Sequence, residues 1–397
     1  MALMPVDEAL ARVLNAGKTL GSEFVKLDDV IGRVLARDLK AKRDQPPFQS
    51  SAMDGYAVRH EDLRERLMLV GVAAAGHAFK GVVKMGQAVR ILTGAPLPKG
   101  ADTIVIQENV SVNGKELVVH VAPALGRNIR PQGLDFKKND VLIAAGTRIT
   151  QRDIGLMAAA NAALVSVRKR PRIVLFTTGD ELVLPGDHPR DDQIFSSNSH
   201  ALAAMLNAWG AEVINLGIIR DDMRATIAAI KKASKADILV TTGGASVGDH
   251  DYVQEALKSA GIKIGFWKIA LRPGKPLMFG TKAKLAVLGL PGNPVSALVC
   301  ARIFLKPLIG KMLGLDANDI SVMARVADVL PANDERQDYL RATLRYEENG
   351  LRVVSVFSKQ DSSMQRNLRN ADCLILRPPL APEVAKGALV PVILLDF

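Results

Sequence analysis

Ile238-Leu239-Val240-Thr241-Thr242-Gly243-Gly244-Ala245-Ser246-Val247-Gly248-Asp249-His250-Asp251 is the stretch that decides how this chain folds. A short apolar run stops at two threonines and a glycine-rich break, and residues 252–260 then carry a helical pattern. The same grammar recurs on both sides. Ile173-Val174-Leu175-Phe176 breaks at Thr177-Thr178-Gly179-Asp180-Glu181, and residues 212–216 read as the next strand. Leu285-Ala286-Val287-Leu288 breaks at Gly289-Leu290-Pro291-Gly292-Asn293-Pro294, and residues 263–269 read as extended. Between these runs lie helices. One carries Leu202, Met205, Leu206 and Trp209 on one face, with Ser197 or Asn198 placed to cap its start and Gly210 to end it. A second spans about 221–233, and Pro294 suits the first turn of an apolar helix through Ile303. Such alternation predicts a doubly wound, mostly parallel sheet covered on both faces. Ligands of these sheets bind outside the carboxyl ends of the strands, where each glycine-rich break falls.

Outward from this unit the signals change. Val6, Leu10, Val13 and Leu14, with Asp7 and Glu8 in the first turn, predict an amphipathic helix rather than a signal peptide. The first ~45 residues read as helical with short extended pieces, up to the break Gln45-Pro46-Pro47-Phe48. From there to about 145 the signals are for strands. Residues 104–106, 110–112 and 117–119 qualify, the last two joined by Asn113-Gly114 as a hairpin. After about 322 strands return: 341–346 and 352–357 flank Glu348-Asn349-Gly350, and 374–376 and 390–395 complete a small sandwich or barrel.

With 397 residues, 48% of them hydrophobic, the chain can bury a large core and divide into several folding units. A formal charge of +11 favours an anionic partner. Only 4% of residues are aromatic, which argues against stacking platforms for nucleic acid. No apolar run approaches the roughly 20 residues that span a bilayer. Two cysteines, Cys300 and Cys373, make neither a disulfide framework nor a thiolate metal site. A cytoplasmic protein with no nucleic-acid or membrane partner is expected.

Several segments carry chemistry. Gly243, Gly244 and Gly248 let backbone N–H groups approach a ligand closely, and Asp249 and Asp251 with neighbouring hydroxyls suit a hard cation bridging phosphate oxygens. Acids that merely favour a helix start would look similar. Gly244-Ala245-Ser246-Val247-Gly248 matches a nucleophile elbow, but His250 is the last histidine and lies only four positions past Ser246, so the hydrolase triad fails. Lys268, Arg272 and Lys275 around Pro273-Gly274 can neutralise phosphate or another oxyanion, or form a solvated rim. Pro276 stands where a P-loop needs a hydroxyl, which rejects Walker A. No G-x-G-x-x-G and no H-x-x-x-H pair occurs, arguing against a dinucleotide fold and zinc hydrolysis.

Taken together, Ser51-Ala52-Met53-Asp54-Gly55-Tyr56-Ala57, Thr93-Gly94-Ala95-Pro96, Thr178-Gly179-Asp180-Glu181-Leu182, residues 242–251, Pro273-Gly274-Lys275-Pro276 and residues 289–294 stand in the order of one family. The chain resembles the molybdopterin molybdenumtransferases of molybdenum cofactor biosynthesis, a family that includes the E domain of gephyrin. The resemblance implies an α/β fold with added β modules. Residues 1–45 and 142–171 would form a split elongated domain, 46–141 an inserted β-rich domain, 172–321 the α/β domain and 322–397 a C-terminal β-barrel. It also implies a homodimer in which the Asp54 and Thr93 loops of one subunit complete the α/β site of the other.

The implied reaction inserts molybdate, a substrate, into adenylylated molybdopterin with release of AMP and with Mg²⁺ as cofactor. By position in the motifs, Asp54, Asp135, Glu181, Asp221, Asp251, Lys268 and Arg272 would be catalytic, with Glu181, Asp221 and Asp251 toward the metal. Thr93, Arg130, Thr178, Gly243, Gly244, Ser246, Lys275, Pro291, Pro294, Ser296, Arg341 and Ser363, or its neighbour Ser362, would bind substrate. Arg272 departs from the family, which often has lysine there; the charge is kept and the geometry is not. An adenylyltransferase that supplies the substrate is an implied partner. That same adenylyltransferase activity is one rival reading, since such enzymes share the α/β unit, but they lack the β modules, Asp54 and the barrel. A scaffold that has lost catalysis is another, and the full acid set argues against it.

Overall fold

The structure, a computed structural model, describes residues 3–243, 252–315 and 321–397. Gly244, Ser246 and Asp251, three of the expected site residues, lie outside them. The chain divides into two compact units, one of residues 1–23, 32–36 and 167–397, the other of 24–31 and 37–166.

In the larger unit the central sheet runs in the order Glu212–Ile219, Arg172–Thr178, Ile238–Thr242, Leu285–Leu290, Met278–Lys282 and Lys263–Trp267. The first four strands are parallel and the last two antiparallel. Alternation along one strand shows why both faces are covered. Ile173 and Leu175 join a core with helices Val6–Ala16, Asn198–Ala208 and Pro294–Cys300, while Val174 and Phe176 join another beneath helices Met223–Lys232 and Tyr252–Ser259. Register then places the site: Thr178 pairs with Ile219, Thr177 with Thr242, and Thr242 with Leu290, so three strand ends stand level beside the central one.

The helix that starts at Pro294 runs past Ile303 to Leu313. Pro307 lacks an N–H, and a π-helical stretch, Ala301–Leu305, precedes it and lets the chain continue as Lys306–Leu313. Gly314 at φ +74° ends it. The C-terminal strands close on themselves. Gln337–Tyr346 pairs with Arg352–Val356, which pairs with Val322–Val326, then Leu389–Leu394, then Cys373–Arg377, which returns to Gln337–Tyr346. This is the expected barrel, filled by Val326, Ala342, Val354, Ile375 and Val392.

The smaller unit holds a six-stranded sheet in the order Thr103–Ile106, Gly55–Val58, Gln87–Ile91, Leu67–Ala73, Glu116–Val119 and Val110–Asn113. The Asn113-Gly114 hairpin is present, with Asn113 opposite Glu116 and Gly114 at φ +60°. Among the described residues no helix is long and apolar enough to cross a membrane.

Candidate functional site

Level strand ends make a common edge, and the segments leaving it line a cleft of ≈ 940 Å³. Thr178, Gly179 and Glu181 follow the strand Arg172–Thr178, Asp221 follows Glu212–Ile219, Gly243 follows Ile238–Thr242, and Pro291 to Pro294 follow Leu285–Leu290. Backbone must pass closely here. Gly243 has φ +87°, and a Cβ on it would stand 2.2 Å from the Thr178 carbonyl oxygen. Ser296, on the helix after Pro294, completes that wall.

Negative charge gathers at one end. The Asp221 amide donates to Asp180 Oδ1 at 3.3 Å. Partial burial, then the charges of Asp180 and Glu181, push the Asp221 carboxyl above the usual carboxylate range. Cations come from elsewhere: Arg272, Lys275 and Arg336 also line the cleft.

The barrel supplies the remaining wall through Gln360, Asp361, Ser362, Ser363 and Gln365. Ser362 Oγ accepts from Asn293 Nδ2 at 2.8 Å, and its carbonyl accepts from the Val295 amide at 3.0 Å. Ser363 donates through its amide and hydroxyl to Asp361 Oδ1 at 2.8 and 2.6 Å. Both serines therefore stand on the cleft.

Two expected pocket cations are placed differently. Lys268 is not among the described residues of the cleft wall; its ammonium lies 4.3 Å from the centroid of the Trp267 ring, a cation–π contact. Arg341 is fully buried beneath the wall rather than on it. Its Nε donates to Gln360 Oε1 at 3.1 Å and Nη1 to the Asp361 carbonyl at 2.8 Å. A guanidinium anchored through Nε and Nη1, with Nη2 left without a hydrogen bond among the described residues, braces the loop that forms the wall. The expected helix cap is absent as well. Neither Ser197 nor Asn198 caps: Asn198 Nδ2 reaches across to Gly292 O at 2.7 Å and Thr242 Oγ1 at 3.1 Å, and Ser197 Oγ accepts from Gln365 at 2.7 Å.

In the smaller unit, Asp54 Oδ1 accepts from both the amide and the hydroxyl of Thr93, each at 2.7 Å. Those two bonds, with the nearby Arg90 charge, hold the Asp54 carboxyl below the usual range. Arg90 itself lies over the Tyr56 ring, 4.8 Å from its centroid. Arg130 pairs in register with Ser50, while Asp135 is exposed and its amide bonds the Gln45 carbonyl at 2.9 Å.

The sequence gives no site role to Arg336, Gln360 or Arg90, and to Asn198 only that of a helix cap. Arg90 had the clearest signal, a cation on a strand beside the Asp54 motif, in register with Tyr56.

Comparison with known proteins covers almost the whole chain. Residues 4–161 match the MoeA N-terminal region (domain I and II), 174–311 a probable molybdopterin binding domain, and 323–395 the MoeA C-terminal region (domain IV). A molybdopterin molybdenumtransferase of Nostoc sp. is 36% identical over 370 residues, 90% of this chain and 85% of that protein. Its namesake in Bacillus subtilis is 33% identical over 405 residues, 99% of this chain and 94% of that one. A crystal structure of a molybdopterin biosynthesis moeA protein from Pyrococcus horikoshii superposes with a TM-score of 0.82 at 28% identity, covering 99% of this chain and 100% of that one. The chain belongs to the molybdopterin molybdenumtransferase family.

Proposed function

We propose that this chain inserts molybdate into adenylylated molybdopterin and releases AMP, with the chemistry in the cleft at the strand ends. One observation carries the reading: a single cleft joins a carboxylate cluster, Glu181 and Asp221, to the cations Arg272, Lys275 and Arg336. Both substrates are anions, so an all-acid pocket would repel them and an all-cation pocket would leave no site for a hard metal. Relatives named for molybdenum transfer support the same conclusion.

Mg²⁺ fits the acidic end. Among the described residues no set of three or more ligands is placed to hold a metal. Mg²⁺ needs less, since it is held by one or two carboxylates and keeps water and substrate phosphate oxygens. Glu181 and Asp221 supply hard oxygens, and burial first, then the charges of Asp180 and Glu181, raise the pKa of Asp221, a carboxylate that a cation would stabilise. When bound there, Mg²⁺ supplies charge neutralisation at the phosphoanhydride. Gly179 and Gly243 let the chain pass close to the Glu181 carboxylate and the Thr178 carbonyl, where a Cβ would clash. Lys275 and Arg272 attract the molybdate dianion, and the prolines at 291 and 294 fix the opposite wall. Asp54 and Thr93 form a preorganised acid–hydroxyl pair in the smaller unit, and the working form is a homodimer.

Glu181→Gln and Asp221→Asn are each expected to slow single-turnover AMP release at least about a hundredfold, since neutralising charge at a transferring phosphoryl supplies much of the rate enhancement in such reactions. Equilibrium binding of the adenylylated substrate should persist. Wild-type AMP release in both variants would refute the assignment.

A further inference from the structure

Arg272 reaches the cleft already clasped, and the clasp belongs to the barrel. The strand Leu271–Arg272 runs parallel to the start of Gln337–Tyr346, with Arg272 directly opposite Asp338. Nη2 donates to Asp338 Oδ2 and, at 3.1 Å, to Asn333 Oδ1, while Nη1 donates to Asp334 Oδ2 at 2.8 Å. The clasp is itself rigid. Asn333 Nδ2 donates to the Arg336 and Pro378 carbonyls at 2.8 Å, and Asp334 accepts from the Arg336 amide and guanidinium at 2.9 Å. Asp338 is 3% exposed, and its pairing with Arg272, ahead of the Arg336 charge, keeps a carboxylate tolerable there.

Three of the five guanidinium donors are engaged in this way. Nε–H and one Nη1–H make no hydrogen bond among the described residues, and the side chain remains 43% exposed. A lysine at this position would offer one rotating ammonium, which needs no such orientation. We propose that Asp334, Asp338 and Asn333 are positioning residues that turn the Arg272 fork so that its remaining donors meet the oxyanion in the cleft. The proposal rests on the molybdate-insertion reading and adds to it the residues that make arginine serviceable at 272.

Asp334→Asn is the variant of choice, because Asp338 is buried and its loss would endanger folding. In the whole chain, the KM for molybdate in AMP release should rise about tenfold, the effect of weakening one charge-assisted hydrogen bond, while kcat falls much less. Tungstate binding, measured by calorimetry without turnover, should weaken by the same factor. In an Arg272→Lys background the same substitution should change either quantity less than about threefold. Equal effects in both backgrounds, an unchanged KM and tungstate affinity, or tighter tungstate binding in Asp334→Asn would overturn the proposal; the last would mean that the carboxylate competes with the oxyanion. If the wild type releases no AMP in response to molybdate while tungstate binding still shows the background-dependent loss, the reaction falls and the positioning role stands.

Discussion

Gly243→Ala is expected to reduce turnover at least about a hundredfold while the chain still folds. The added methyl would lie 2.2 Å from the Thr178 carbonyl oxygen, and φ +87° is a conformation alanine adopts only with strain. Strain and overpacking together are worth about 2–5 kcal/mol. Neither neighbour can yield by rotating a side chain, because the colliding atom is backbone. Thr177 pairs with Thr242, so relief requires the ends of two central strands to separate. Thr178, Gly179 and Glu181 would move with them, and displacement of about 1 Å at a reacting centre can cost a hundredfold in rate. Denaturant unfolding together with AMP-release kinetics checks this. A variant with wild-type kinetics would show that the strand ends are not the floor of the site.

Arg341→Met should act through stability and the cleft wall together. Arg341 is fully buried, and burial depresses its pKa against the opposing charge of Asp361. Methionine can fill much of the volume, and the residue 341 amide still donates to Gln360 Oε1 at 3.0 Å, but nothing replaces the Nη1 donor to the Asp361 carbonyl. Leaving that one part-buried acceptor unpaired costs about 1–3 kcal/mol, and a stability loss of that order is expected. The loop bearing Ser362 and Ser363 loosens at the same time, and the KM for both substrates rises. Were Arg341 instead a pocket residue touching molybdate, the variant would lose molybdate affinity alone and unfold at the wild-type denaturant concentration. The two measurements separate a brace from a ligand.

The central sheet was legible because its strands announce themselves twice. Arg172–Thr178, Ile238–Thr242 and Leu285–Leu290 are each a short apolar run that stops at a threonine pair, glycine or proline where the ligand edge begins. Alternate residues of Ile173 to Phe176 then divide between two cores, as a strand covered on both faces requires. Strand Met278–Lys282 carried no comparable signal. Its turn to Leu285 is only Ala283 and Lys284, and Ala283 takes φ +52° where asparagine or glycine would have marked a hairpin.

At the site, residues tied to strand ends were readable, since topology alone brings Glu181, Asp221, Gly243 and Pro291 to one edge. Side-chain direction was not. Sequence gives Arg341 and Lys268 a charge but no burial, and one braces a loop while the other covers an indole. Asn198 looked like a helix cap, yet its partners Thr242 and Gly292 lie 44 and 94 positions away, beyond any local pattern.

On the proposed reading, release of AMP from the adenylylated substrate is coupled to the oxyanion. Single-turnover AMP release from adenylylated molybdopterin, followed with and without molybdate and with and without Mg²⁺, reads that coupling. The account predicts rapid release only when both are present, together with molybdenum retained on the pterin. AMP released at the same rate without molybdate, or molybdenum loaded with no AMP formed, would contradict it.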